Sequence, residues 1–249
     1  MKKGTFNKIV RFGNLIIKLS TEHTSIANEM LKLDSRNIKK YENDISNVGI
    51  NTSKVYLSIC FNNKNFIIQE FINGQTVQEY LDSNLYTNLD KLKMFKKVIQ
   101  LYELSTKNDN LCLDWNLNNF IVRDDDIYYI DYVPALYKDK IKSVKSERLK
   151  QYKLSLLDRE IQLAGIISYA IVPFFADTKE ELCNVYLLMK RCIEEMLEFK
   201  INLNNNVNHV YIQKLSVLEN YLYSNQSKEE FIKKYNSISM MKTAYVKKK

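Results

Sequence analysis

Two short apolar runs separated by an acidic turn constrain this chain more than any other stretch. Phe120-Ile121-Val122 and Ile127-Tyr128-Tyr129-Ile130 flank Arg123-Asp124-Asp125-Asp126, which reads as the turn of a β-hairpin. Asp114 and Asn119 precede the first run, and Asp131 closes the second. The hairpin brings oxygens from both of its arms to one end. Mg2+ suits such a set, because it takes one or two carboxylates and completes its shell with water and substrate phosphates. A carboxylate beside that centre can accept a proton from a hydroxyl nucleophile. Asp114 with Asn119 alone would mean little in a chain so rich in Asn, and a surface hairpin would use similar residues. The two apolar runs with Asp131 at the expected place favour phosphoryl-transfer chemistry.

Composition sets the bounds. A chain of 249 residues can bury a core in one large domain or in two small lobes. Hydrophobic residues make up 45% and charged residues 27%, so the chain is expected to fold, not to remain disordered. Only 5 Gly and 2 Pro point to helix-rich architecture with few tight turns. The formal charge of +8 comes from dispersed lysines, with one run at Lys247-Lys248-Lys249, and no aromatic-basic motif accompanies it. A solvated surface is expected, with no nucleic-acid partner. Cys60, Cys112, Cys183 and Cys192 form no CxxC pair and read as free thiols. The N-terminus lacks the apolar core of a signal peptide, and the apolar stretch 163–176 is too short to span a membrane. A cytoplasmic location is the expectation.

Along the chain, Gly4 to Ser20 reads as two strands around the turn dipeptide Gly13-Asn14. Helical spacing at Ile26, Met30 and Leu33 predicts a helix over 25–40. Strands are expected at 55–59 and 66–71, a short helix over 76–81 and a long one over 89–106. After Pro134 an irregular basic stretch runs to about Ser146. Helices are then expected over 147–172, 178–199, 207–224 and 227–236. Strands first and helices afterwards predict an α+β fold.

The segment from Asp114 to Asp131 resembles the catalytic and metal-binding loops of the protein kinase-like superfamily. Four further stretches resemble that pattern. Gly4-Thr5-Phe6-Asn7 is similar to the second half of a phosphate-covering glycine-rich loop. Lys18 interrupts the apolar run Leu15-Ile16-Ile17-Lys18-Leu19 as the phosphate-pairing lysine does, although a lysine facing solvent on an edge strand would look the same. Glu29 resembles its helix-borne partner, with Glu22 as an alternative. Gln69-Glu70-Phe71-Ile72-Asn73-Gly74 resembles the hinge of small-molecule kinases, and Asp158 a helix Asp that accepts hydrogen bonds from the catalytic loop.

The resemblance implies a two-lobed fold: a small β-rich nucleotide-binding lobe over 1–73 and a helical catalytic lobe over 74–249. It implies ATP and Mg2+, with Asp114 as catalytic base and Asn119 and Asp131 on the metal. Gly4, Phe6, Lys18, Glu29, Glu70 and Ile72 would bind the nucleotide. Cys112 and Leu113 stand where protein kinases carry His and Arg, Tyr132-Val133 replaces the Phe-Gly that follows the metal Asp, and no Ala-Pro-Glu motif follows. These departures favour the aminoglycoside phosphotransferase and choline kinase branch, hence a small-molecule hydroxyl acceptor. A minimal protein kinase acting on Ser, Thr or Tyr and a catalytically inactive binding module are the alternatives.

Overall fold

A computed structural model describes residues 7–20, 37–61, 64–145, 149–202 and 208–238. The chain divides into two compact units. The first comprises Met1–Val77, Leu104–Asp114 and Asn118–Lys145, and the second Gln78–Glu103, Trp115–Leu117 and Ser146–Lys249.

In the first unit, β1 (Asn7–Phe12) and β2 (Leu15–Ser20) form a hairpin. Phe12 pairs with Leu15, so Gly13-Asn14 is the whole turn, and Gly13 takes φ +56° as the first residue of such a turn requires. Helix α1 (Ile38–Asn47) buries Ile38, Tyr41 and Ile45 at helical spacing. It continues past the expected end at Lys40, and the part of the expected helix before Asn37 lies outside the described residues. β3 (Asn51–Thr52), β4 (Val55–Phe61), β5 (Lys64–Glu70) and β6 (Gln75–Thr76) follow. One antiparallel sheet has the order β1-β2-β5-β4.

The hairpin read from the sequence is present as β7 (Phe120–Arg123) and β8 (Asp126–Tyr129). Arg123 pairs with Asp126, leaving Asp124 and Asp125 as a two-residue turn with φ +50° and +68°. Aspartate tolerates this left-handed conformation better than most residues. A second sheet has the order β3-β8-β7-β6, and its short outer strands were not expected from sequence. Tyr129 and Phe120 are buried against each other at 5.2 Å between ring centres, anchoring the hairpin in the core. The stretch after Pro134 is less irregular than expected, because α4 (Lys138–Ser143) forms there.

The second unit is helical. It contains α2 (Val77–Asp82) from its second residue and α3 (Asn88–Ser105) to Glu103. The helix expected over 147–172 is broken into α5 (Lys150–Leu157) and α6 (Arg159–Ala170). Asp158 makes the break: it takes an extended conformation and its carboxylate accepts from Ile161 N at 3.0 Å, capping α6. α7 (Lys179–Leu197) starts with a reciprocal capping box between Thr178 and Glu181. α8 (Val210–Tyr223) and α9 (Lys228–Ser237) complete the unit. α6 and α8 approach closely at Gly165, where an added Cβ would stand 2.9 Å from the Tyr211 ring. All described strands lie before residue 130 and the described elements beyond it are helical, which makes the fold α+β. Among the described residues, no helix is long and apolar enough to cross a membrane.

Candidate active site

Strand alternation places Lys18. β2 lies between β1 and β5, so Lys18 is on an interior strand and not on an edge. Lys18 pairs with Ile67 and Ile16 with Gln69, which sets these four residues on one sheet face. Lys18, Ile67 and Gln69 are buried, whereas Leu19, on the opposite face, is 40% exposed. The lysine thus interrupts its apolar run by pointing inward. Burying an ammonium costs several kcal/mol unless it is compensated, by roughly the scale known for buried ions. Lys18 Nζ donates to the Ile130 carbonyl at 2.7 Å and lies 3.8 Å from Asp131 Oδ1. Loss of water pushes the Lys18 ammonium below the ordinary lysine range, and the Asp131 carboxylate opposes that shift.

The hairpin places Asn119 and Asp131. Phe120 pairs with Tyr129, and the next rung is closed by Ile130 N donating to the Asn119 carbonyl at 3.0 Å. Asn119 and Asp131 therefore sit at the open end of one hairpin, on opposite arms. Asn119 Nδ2 donates to the Asp114 carbonyl at 3.3 Å, a contact that fixes the loop between them. Within that loop Leu113, Trp115 and Leu117 are buried while Asp114, Asn116 and Asn118 are more open. Apolar residues at alternate positions anchor the backbone, and Asp114 is half-buried between them. The Tyr41 hydroxyl donates to the Cys112 carbonyl two residues before Asp114, and burial drives that phenol well above its usual range. Cys112 is buried too, its thiol pushed up to about 12, so it is inert as a nucleophile at neutral pH.

The hinge-like stretch is tied to the sheet. Glu70 N donates to the Lys54 carbonyl and Phe71 N to the Asn14 carbonyl, both at 2.8 Å. Ile72 is buried. Gly74 is required by close approach, since a Cβ there would stand 2.1 Å from the Val122 carbonyl oxygen. Lys18, Glu70, Ile72, Asp114, Asn119 and Asp131 all belong to the first unit. Gly4, Phe6, Glu22 and Glu29 lie outside the described residues. Asp158 belongs to the second unit, where it caps its own helix.

The chain is similar to solved structures of the Mycobacterium tuberculosis PknI kinase domain. One is 11% identical with a TM-score of 0.46, covering 96% of this chain and 93% of that one. A double mutant of the same domain is 11% identical with a TM-score of 0.44, covering 93% and 89%. No family model matches the chain, and no curated protein is similar to it.

The donor set fits magnesium and a nucleotide. Asn119 and Asp131 offer one amide and one carboxylate oxygen, the hard ligands that Mg2+ combines with phosphates. Among the described residues no group of three His, Cys, Asp or Glu could hold a metal ion. The Lys18 ammonium, 3.8 Å from Asp131 Oδ1, is a cation already accommodated beside this carboxylate.

Three residues of this neighbourhood were not singled out from sequence. Gln69 Nε2 donates to Ser53 Oγ at 2.8 Å and to the Ile130 carbonyl at 3.2 Å. The Tyr132 hydroxyl lies 2.8 Å from the carbonyl oxygens of both Ser53 and Tyr129. Gln69 carried a signal: it breaks Phe66-Ile67-Ile68 at the parity of the buried Ile67, as Lys18 breaks its own run. Tyr132 follows Asp131 directly, but nothing in the sequence joins its hydroxyl to Ser53, which stands in an unpatterned stretch.

Proposed function

We propose that this protein is a Mg2+- and ATP-dependent phosphotransferase that moves the γ-phosphate to a hydroxyl of a small-molecule acceptor. The observation that carries this reading is the inward Lys18 paired with Asp131 at 3.8 Å, in the unit that also holds Asp114 and Asn119. A buried lysine beside a partly open carboxylate is a costly arrangement for a fold and a useful one for binding phosphate.

In this reading Lys18 neutralises nucleotide phosphates, and the backbone of Glu70–Ile72 borders the base. Asn119 and Asp131 would hold magnesium, which when bound supplies charge neutralisation on the phosphates. Asp114 orients the acceptor hydroxyl and takes its proton as oxygen attacks the γ-phosphorus and ADP departs. Positioning and electrostatics supply most of the rate. Support for a small acceptor comes from Leu113, which is buried at the position where regulated protein kinases carry an arginine.

The test is incubation of the protein with Mg2+, γ-labelled ATP and cell extract beside Asp114→Ala. Label that appears on small molecules and depends on Asp114 supports the reading. Asp114-dependent label on protein replaces the acceptor class with Ser, Thr or Tyr side chains. ATP binding without transfer to either would make the chain a binding module.

A further inference from the structure

Lys18 and Gln69 donate to the same oxygen, the Ile130 carbonyl, at 2.7 and 3.2 Å. That carbonyl belongs to the peptide leading directly into Asp131. Each partner of Gln69 has a second partner of its own. Ile130 O has Lys18, and Ser53 Oγ lies 3.3 Å from the Tyr132 hydroxyl. The Gln69 side-chain oxygen, by contrast, is buried with no hydrogen-bond partner among the described residues. A fold gains little from such a residue, because an apolar side chain of similar length would orphan no neighbour and would remove one unsatisfied acceptor.

We infer that Gln69 is a positioning residue, which holds the Ile130–Asp131 peptide in place when Lys18 exchanges the Ile130 carbonyl for nucleotide phosphate. The inference rests on the phosphotransferase reading. Among the described residues, the shorter polar contact of Lys18 is with this carbonyl and not with the Asp131 carboxylate. An ammonium that turns to phosphate gives up or weakens that bond. Without Gln69 the carbonyl would then be a buried acceptor lacking a donor, and the peptide would shift to find one, carrying Asp131 with it. Gln69 is well suited to prevent this. It stands on β5, it is 2% exposed, and its amide is pinned from the other side by Ser53. The consequence falls on the metal-dependent part of binding, since Asp131 and not Lys18 is displaced.

The experiment is calorimetric titration of the full chain with ATP, in EDTA and across a MgCl2 series, for the parent and Gln69→Met. Melting temperature is measured alongside. The parent is expected to bind ATP more tightly with magnesium. Gln69→Met should keep or raise the melting temperature and bind ATP in EDTA within about twofold of the parent. Its magnesium-dependent gain should shrink about tenfold, the effect of losing roughly one net hydrogen bond. Ser53→Ala, which unpins the amide without touching Ile130, should reduce the same gain by a smaller factor. An undiminished magnesium gain in both variants overturns the inference while leaving the phosphotransferase reading intact. So does a Gln69→Met melting temperature that falls as for a core deletion, which would make Gln69 structural. A parent that binds no ATP in any condition overturns the reading itself, and the inference with it.

Discussion

The side-chain amide of Asn119 donates to the backbone carbonyl of Asp114 at 3.3 Å, so the nitrogen braces the candidate base, and the oxygen of the same amide is the one proposed for magnesium. The two roles use different atoms and can be separated. Asn119→Asp retains an oxygen ligand and loses the N–H donor. Magnesium affinity should be kept or raised, while phosphoryl transfer falls about tenfold, the kinetic equivalent of one net hydrogen bond. Asn119→Ala should lower both. Magnesium titration of nucleotide binding beside single-turnover transfer checks this, and equal loss in the two variants would refute the separation.

Asp131→Asn removes the carboxylate that, among the described residues, pairs with Lys18. Breaking a fully buried pair costs about 3–5 kcal/mol. The Asp131 side chain is 31% exposed, so the solvent-screened cost should be about 1–2 kcal/mol. The variant should also lose the magnesium-dependent part of nucleotide binding. Urea unfolding and magnesium titration read the two effects; retained magnesium dependence would remove Asp131 from the metal site.

Gly74→Ala tests the close approach that seats the hinge-like stretch on β7. The new methyl would meet Val122 O at 2.1 Å and Ile121 Cγ2 at 2.8 Å, and the backbone oxygen cannot rotate away. A loss of about 1–3 kcal/mol is expected from the forced shift of β6 against β7. An unchanged urea midpoint would show that the two strands separate at no cost.

His209 gives the second unit a pH dependence. Its Nδ1 accepts from Tyr211 N at 3.2 Å as the cap of α8, so its proton sits on Nε2, 3.0 Å from the Gln151 carbonyl. Burial pushes the imidazole below its ordinary value of 6.5, against the opposing pull of the Gln151 carbonyl and Asp158. Above 6.5 both folded and unfolded chains carry the neutral ring, and stability is complete in this respect. As pH falls below 6.5 the unfolded chain takes up the proton first, so stability declines until pH passes the lower folded value. Urea midpoints at about pH 7.5 and about pH 5.5 should differ in this direction, and His209→Asn, which can still cap α8, should lack this component. An identical pH dependence in the variant would assign it to other groups.

Local chemistry made much of the fold readable. Gly13-Asn14 specified the first turn because left-handed φ is cheap for glycine. The helix expected over 178–199 is present as α7, and the structure shows why it starts there: the Thr178–Glu181 capping box satisfies two orphan backbone donors. Asp158 was misread as lying inside one long helix. Its neighbours keep helical periodicity on both sides, and only the backbone shows that it caps the second of two helices. The strands β3 and β6 were invisible because two residues carry no periodicity, and they exist only as partners for β8 and β7.

The sequence by itself determined which groups are available for chemistry. The apolar runs around an acidic turn dictate a hairpin, and a hairpin necessarily brings Asn119 and Asp131 to one end. Whether Lys18 faces solvent or the interior was open, because an interrupted apolar strand is compatible with either. Tertiary structure decided it by placing β2 between β1 and β5, where the face holding Lys18 is buried with Ile67 and Gln69. Tertiary structure alone also joined Lys18 and Gln69 to Ile130, across 112 and 61 residues of chain. Periodicity encodes which side of an element a residue occupies. It carries no information about which distant backbone oxygen that side will meet.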